Sequence, residues 1–385
     1  MTPGARVAAA IEILDAIVAG QPAEQTLTRW ARGNRFAGSK DRAAIRDHVF
    51  DALRHWRSDA LRGGGVTGRA RMIGRMRGAG LDVDAVFDGV GHAPAPLSVE
   101  ERAAGQAPEM QGDRWDMPDW LVHIFKDSLG DSAEATAMAL TERAPISLRV
   151  NTAKTDVAAA REMLASDGVE TAPNARAATA LTVIEGPRRV RGARAFNEGL
   201  VEMQDASGQA AIAQLIGQGR ALDYCAGGGG KALALAAQGW TVSAHDINPS
   251  RMRDLPARAD RGGHTIEVLA PDAVDQSAHF DLVLCDAPCS GAGTWRRAPE
   301  AKWALTPARL EELVALQRSV LQSAVPLVSE KGVLAYATCS VLQAENDAQI
   351  AWFLDANPDW DALSMTHWPV DDQGDGFFLA RLARR

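Results

Sequence analysis

Residues 221–237 read ALDYCAGGGGKALALAA. A short apolar run of strand length meets four consecutive glycines, and Lys231 then leads an Ala/Leu-rich run of helical character. Glycine lets a backbone turn sharply and leaves no side chain between it and a ligand. The helix start behind such a turn offers unpaired N–H groups. Gly227, Gly229 and Ala232 satisfy G-x-G-x-x-G/A, and Asp246 closes the next apolar run about twenty residues on, where a nucleoside ribose needs an acidic acceptor. The pattern serves a nicotinamide dinucleotide as readily as S-adenosyl-L-methionine. A phosphate-binding P-loop is disfavoured, because Ala232 stands where Ser or Thr should follow the lysine.

Outward from this loop the chain alternates. TVSAHD (241–246), TIEVLA (265–270), DLVLCD (281–286) and VLAYATC (333–339) are further strand-length apolar runs, most separated by helical segments. After Thr306–Pro307, Leu310, Leu313, Val314, Val320, Leu321 and Ala324 share one helical face, and Lys331–Gly332 is expected to close that helix. The rhythm predicts an α/β, Rossmann-like, doubly wound parallel sheet, with ligands at the carboxyl ends of its strands.

The cysteines fall at those ends. Cys225, Cys285, Cys289 and Cys339 are the four in the chain, and their placement argues for reduced thiols and against a disulfide framework. Cys285, inside an apolar run, reads as packing, and Cys225 as structural or cofactor-lining. Cys289 follows Asp286–Ala287–Pro288, and Cys339 closes VLAYATC, so neighbouring strands would bring two thiols and one carboxyl into a single cleft. C-x₃-C without a second Cys/His pair is not a zinc pattern, so no metal is expected. Two thiols and an acid suit attack on a pyrimidine. A thiolate adding to carbon 6 of cytosine makes carbon 5 nucleophilic, an acid near N3 takes up the displaced electrons, and a second group assists release. A dehydrogenase needs none of this.

The net charge of −8 counts against a nucleic-acid partner, although 41 basic residues, only six of them lysine, leave room for arginine patches. Met1–Arg6 leads into an amphipathic pattern and no run is long enough to span a membrane, which reads as cytoplasmic with no membrane partner. Val7, Ile11, Leu14, Ile17 and Val18 predict an N-terminal helix ending at Gly20, and Ser39 is the expected cap of a second helix carrying Ile45, Val49 and Leu53. A Pro/Gly/polar linker follows at 92–115. PISLRVNT, TALTVIEG and GLVEMQD are strands of a small α+β subdomain. The predicted domains are an all-α one over 1–110 with its linker, the α+β subdomain over 111–200, and the cofactor domain over 201–385.

From about Leu121 onward the chain resembles the RNA cytosine-C5 methyltransferases of the Nop/Sun type. DAPCSGAGTWRRAPEAKW (286–303) with ATCS about fifty residues later carries the resemblance, supported by QDASGQAA (204–211), DGFFLARLAR (375–384) and LRVN (148–151). The resemblance implies a class I methyltransferase sheet, a small RNA-recognition-like subdomain and S-adenosyl-L-methionine as cofactor. It makes Cys339 the nucleophile and Cys289 the product-release group. Asp286 would contact the cytosine near N3 and lie close to the methyl donor, and Lys231 would be an active-site lysine. Cys225, Ala226, Gly227, Gly228, Gly229, Gly230 and Lys231 would form the cofactor loop, with Asp246 on the ribose and Asp272 on the adenine. Arg149, Arg296, Arg297 and Lys302 would lie near RNA. The family loop usually reads A-A-P-G-G-K-T; AGGGGKA here departs from it and implies a more flexible loop. SKDRAAIRDHVFDALRHW (39–56) resembles the NusB-like domain of bacterial ribosomal RNA members, pointing to small-subunit (16S) ribosomal RNA; a monomer is expected. A DNA cytosine methyltransferase, and an assembly factor that binds RNA through an inactive methyltransferase fold, remain alternatives.

Overall fold

The computed structural model describes residues 1–274 and 279–385. It divides into two compact units, Met1–Arg143 with Trp295–Ala304, and Ala144–Thr294 with Leu305–Arg385.

The first unit is helical. Pro3–Val18, Ala23–Gly33, Ser39–Arg54, Trp56–Gly63 and Gly68–Gly78 bury Ile13, Leu14, Ile45, Val49, Met72 and Ile73 against one another. Thr2 caps the first helix by accepting from the Ala5 N–H at 3.2 Å, and Pro3 opens it, where its missing N–H costs nothing. Gly20 ends that stretch at φ 89°, a left-handed value that favours glycine. Ser39 is not the cap of the third helix. Gly38 holds that position and Ser39 is already helical, with no side-chain cap bond. The expected linker contains two short helices, Val99–Ala103, opened by a Ser98/Glu101 capping box, and Gln111–Arg114. Asp119–Leu129 and Ala133–Ala139 also group with this unit, so the helices run past residue 110. Trp295 stacks on Phe125 at 5.9 Å, and Trp303 Nε1 donates to Leu53 O at 2.7 Å.

The second unit holds two sheets among the described residues. The small one comprises β1 (Ser147–Val150), β2 (Glu170–Pro173), β3 (Ala180–Glu185) and β4 (Val201–Met203) in the order β2-β3-β1-β4, all antiparallel. The large one comprises β5 (Arg220–Asp223), β6 (Thr241–Ala244), β7 (Ile266–Val268), β8 (Phe280–Asp286), β9 (Val328–Thr338), β10 (Trp360–Trp368) and β11 (Phe377–Arg384), in the order β10-β11-β9-β8-β5-β6-β7. The five strands from β5 to β9 are parallel, as the alternation predicts. The last two are antiparallel, which makes the sheet mixed. Lys331–Gly332 lies inside β9, because the helix Pro307–Ala324 already ends at Val325.

Alternate residues of each central strand go to opposite layers. Leu282 and Leu284 pack on one face with Leu233 and Val242, while Val283 and Cys285 pack on the other with Leu334 and Phe378. Strands buried on both faces read as unbroken apolar runs, which is why DLVLCD is one. The strand order reverses between the neighbours β5 and β8, so their carboxyl ends frame a crevice.

Candidate active site

β8 and β9 are parallel neighbours with Asp286 opposite Ala337, so their two outgoing loops start side by side. Those loops carry Cys289 and Cys339, whose sulfurs are 3.5 Å apart. One buried carboxylate ties the loops together. Glu345 accepts from the Ser290 N–H at 2.8 Å and from the hydroxyls of Ser290 and Ser340, both at 2.5 Å, and Gln317 Nε2 donates to it at 3.0 Å. Ser290 and Ser340 each follow one of the cysteines, so Glu345 fixes the separation of the thiols.

The two thiols are not equivalent. The hydrogen bond from Cys289 lowers the pKa of Cys339, and the Lys231 charge and the Thr294 hydroxyl lower it further against burial and Asp286. Cys289, as the donor to Cys339 and a buried group, is held well above the ordinary thiol range. Cys339 is therefore the more readily ionised of the pair and Cys289 the less. Cys285 is fully buried, and burial pushes its thiol well up, which agrees with packing.

Lys231 Nζ meets Asp286 Oδ2 at 2.6 Å. Burial alone would lower the lysine, but Asp286 outweighs it and the ammonium is raised. Beneath them Asp223, wholly buried at the end of β5, is pushed up to about 7 by burial and by the neighbouring Asp286.

The glycine loop runs alongside. Gly227 and Gly229 have φ of 52° and 79°, while Gly228 and Gly230 are outside the left-handed region. Gly227 N–H donates to Asp246 Oδ2 at 2.9 Å, and Arg251 Nη1 reaches the same oxygen at 3.0 Å. Asn248 N–H takes the other oxygen at 2.9 Å. Three of about four carboxylate acceptor positions are thus used, leaving one for a ligand hydroxyl. A cavity of about 210 Å³ opens here, lined among others by Tyr224, Cys225, His245, Asp246, Ile247 and Val320. An acidic floor, apolar walls and a glycine turn with two left-handed residues fit the nucleoside end of S-adenosyl-L-methionine. Cys225 lines this cavity with its thiol raised by burial and by Asp223.

Other expected residues lie elsewhere. Asp272 is exposed on the loop after β7 and is not among the residues lining the cavity. Arg149, Arg296 and Lys302 are 5%, 2% and 1% exposed, too enclosed to face RNA phosphate in this conformation. β1 is buried throughout, and Arg149 sits within it with its pKa drawn down to about 10 by burial. Lys302, within the helical unit, falls to about 8 because burial outweighs Asp116. Arg297 alone of these four is exposed. Sequence reasoning missed Glu345, Arg251, and the pair Glu202 and Arg258. The only signal for the first was the repeated Cys-Ser, which marks two loops wanting a shared partner.

Residues 212–383 match the family described as 16S rRNA methyltransferase RsmB/F, and residues 117–191 match its ferredoxin-like domain. Ribosomal RNA small subunit methyltransferase B of Citrobacter koseri is 30% identical over 393 residues, spanning 90% of this chain and 91% of that one. The chain belongs to this family. The enzyme of the same name from Pasteurella multocida is 33% identical over 292 residues, and the match spans 69% of this chain and 65% of that relative. The crystal structure of PH0851 superposes with a TM-score of 0.78 at 24% identity, covering 100% of this chain and 99% of that one, a likeness of fold. Membership of the RsmB/F family makes S-adenosyl-L-methionine the methyl donor. No helix among the described residues is long and apolar enough to cross a membrane.

Proposed function

We propose that this chain methylates carbon 5 of a cytosine in small-subunit (16S) ribosomal RNA, through a covalent bond from Cys339 to carbon 6. The observation that carries this reading is the unequal thiol pair, 3.5 Å apart, beside the Lys231–Asp286 pair. The Cys339 thiolate attacks carbon 6, and the electrons of the 5,6 double bond move toward N3. The Lys231 ammonium, hydrogen-bonded to Asp286 Oδ2, passes a proton through that carboxyl to N3, which takes up the displaced electrons. Bound S-adenosyl-L-methionine supplies an electrophilic methyl group to carbon 5. Water in the cleft takes the carbon 5 proton and N3 returns its proton to Asp286, so the double bond re-forms and the Cys339 thiolate is expelled, hydrogen-bonded by the Cys289 thiol as it leaves. A base inside a duplex cannot reach this cleft, so the target is unstacked or single-stranded. Asp246 and the loop from Cys225 to Lys231 hold the cofactor. Family relatives named for the small-subunit RNA support the substrate.

The test is transfer of labelled methyl to 16S RNA from cells lacking this gene, followed by bisulfite sequencing. One newly protected cytosine is expected, and Cys339→Ala should lose all turnover. Cys289→Ser should accumulate an RNA adduct stable to denaturing electrophoresis. Normal turnover by Cys339→Ala would sink the covalent reading. Label entering DNA but not RNA would overturn the substrate.

A further inference from the structure

The cofactor loop contains four glycines in a row, and such a segment loses much backbone entropy when it orders around a ligand. Two of the four are fixed by their surroundings. Gly227 is held through its N–H on Asp246, and the Gly229 N–H donates to Ala226 O at 2.8 Å. Gly228 stands between them. Its own N–H makes no hydrogen bond among the described residues, and its φ lies outside the left-handed region. Its carbonyl, however, accepts from Arg258 Nη1.

Arg258 stands on the helix Leu255–Gly262 and is itself anchored. Its Nη2 donates to Glu202 Oε2 at 3.1 Å, and Glu202 on β4 also accepts from Arg261. The carboxylate and the two guanidinium groups are 12%, 25% and 26% exposed, so the network is mostly withdrawn from solvent. An exposed pair of this kind would contribute little, whereas a half-buried one bound to a backbone carbonyl restricts that carbonyl. A β-carbon built on Gly228 would come within 3.3 Å of Arg258 Nη1, the far end of a flexible side chain, and would meet nothing else within 4 Å.

We infer that Arg258, braced by Glu202, is a positioning residue for the cofactor: it pins the Gly228 carbonyl and so supplies the stiffness that four glycines lack. The inference rests on the reading of this loop as the cofactor site. It implies that the guanidinium acts before the cofactor arrives, by restricting the loop, and makes no contact with the reacting atoms. A methyl group at position 228 would do part of the same work, because alanine restricts an unbound chain where the native φ is outside the left-handed region.

The experiment measures S-adenosyl-L-methionine binding by calorimetry on the full chain. The variants are Arg258→Ala, Glu202→Gln, the two combined, and Arg258→Ala with Gly228→Ala, whose new carbon would meet only the Arg258 side chain that the first substitution removes. Steady-state kinetics run alongside. Arg258→Ala should weaken binding roughly ten-fold, about 1.4 kcal/mol. It should raise the cofactor KM while leaving kcat at saturating cofactor within two-fold. Glu202→Gln should act in the same direction, and the double variant should be no worse than Arg258→Ala, since both break one relay. Gly228→Ala should restore part of the lost affinity in the Arg258→Ala background. A part in general packing would lower thermal stability and kcat together and would not be repaired at position 228. Unchanged affinity in Arg258→Ala overturns the inference, and so does full additivity of the two relay substitutions. Wild-type protein that binds no cofactor would overturn the reading of the loop itself.

Discussion

Alanine placed singly at each of the four loop glycines should give four different results. Gly229 has φ 79°, and a β-carbon there would lie 2.2 Å from Leu255 Cδ1 and 3.0 Å from its Cδ2 and Cγ. Leu255 is fully buried, so it cannot swing into solvent. A non-glycine residue in the left-handed region costs about 1–2 kcal/mol. Forcing a methyl group into a packed core adds about 1–3 kcal/mol. Gly229→Ala should therefore lose roughly 2–5 kcal/mol, the sum of these two costs. Gly227 shares the backbone cost at φ 52°, but its new carbon meets only the Arg251 guanidinium at 3.1 Å, which can move, so about 1–2 kcal/mol is expected. Gly228→Ala should be close to neutral. Gly230 opens the helix and has nothing nearer than 4.0 Å, so alanine there should stabilise by up to about 0.5–1 kcal/mol. Urea denaturation without cofactor, followed by far-UV circular dichroism, measures all four. The reasoning fails if Gly229→Ala lies within about 0.5 kcal/mol of wild type, the ordinary range of surface substitutions, or if Gly230→Ala is the worst of the set.

Glu345→Ala should cost more than about 3 kcal/mol, because it removes the buried carboxylate that accepts from the Ser290 amide, from two serine hydroxyls and from Gln317 Nε2. It should also slow methylation by loosening the thiol pair, and normal melting of that variant would refute its bracing role. Asp59 is fully buried, and burial raises its pKa to about 8, with Arg75 opposing and Asp116 adding to the rise. Its folded pKa lies above its unfolded one, so its contribution is full below about pH 4 and is lost as pH rises to about 8. Asp59→Asn should flatten that fall, and denaturation at pH 5 and pH 9 with equal slopes in both proteins would contradict it. Diamide should join Cys289 to Cys339, since 3.5 Å needs only modest closure to the ~2.05 Å of a disulfide. Methylation should be lost with two thiols and return with dithiothreitol; four titratable thiols after treatment would refute this.

The parallel part of the sheet was legible because buried strands are apolar throughout and the glycine turn marks where the first one ends. The antiparallel β10 was not, because its alternation follows an edge with one exposed face: WDALSMTHW carries charged, polar and apolar residues together. The placement of the cysteines, Asp286 and Asp246 was legible because strand ends and loop spacing locate them, whereas Lys231 was singled out by the family resemblance. Arg149, Arg296 and Lys302 misled because a basic side chain looks the same in sequence whether it meets solvent or a buried acid. Lys302 faces Asp116, nearly two hundred positions earlier, and no local pattern reports such a distance. Glu345 and Arg258 were hidden for the same reason: their partners are fixed by the fold and not by spacing.

The chain leaves the sheet unit directly after Thr294, contributes Trp295–Ala304 to the helical unit, and returns at Leu305. On a ribosome this order delays the helical unit. Its first 143 residues emerge early, yet Phe125 lacks its stacking partner Trp295, and Leu53 lacks the indole of Trp303, until the late segment is made. A fragment ending at residue 143 would therefore expose an apolar scar where those two tryptophans belong. Adding residues 295–304 as a separate peptide should heal it, so that the two cysteine-bearing loops are synthesised on either side of the piece that completes the other unit's core.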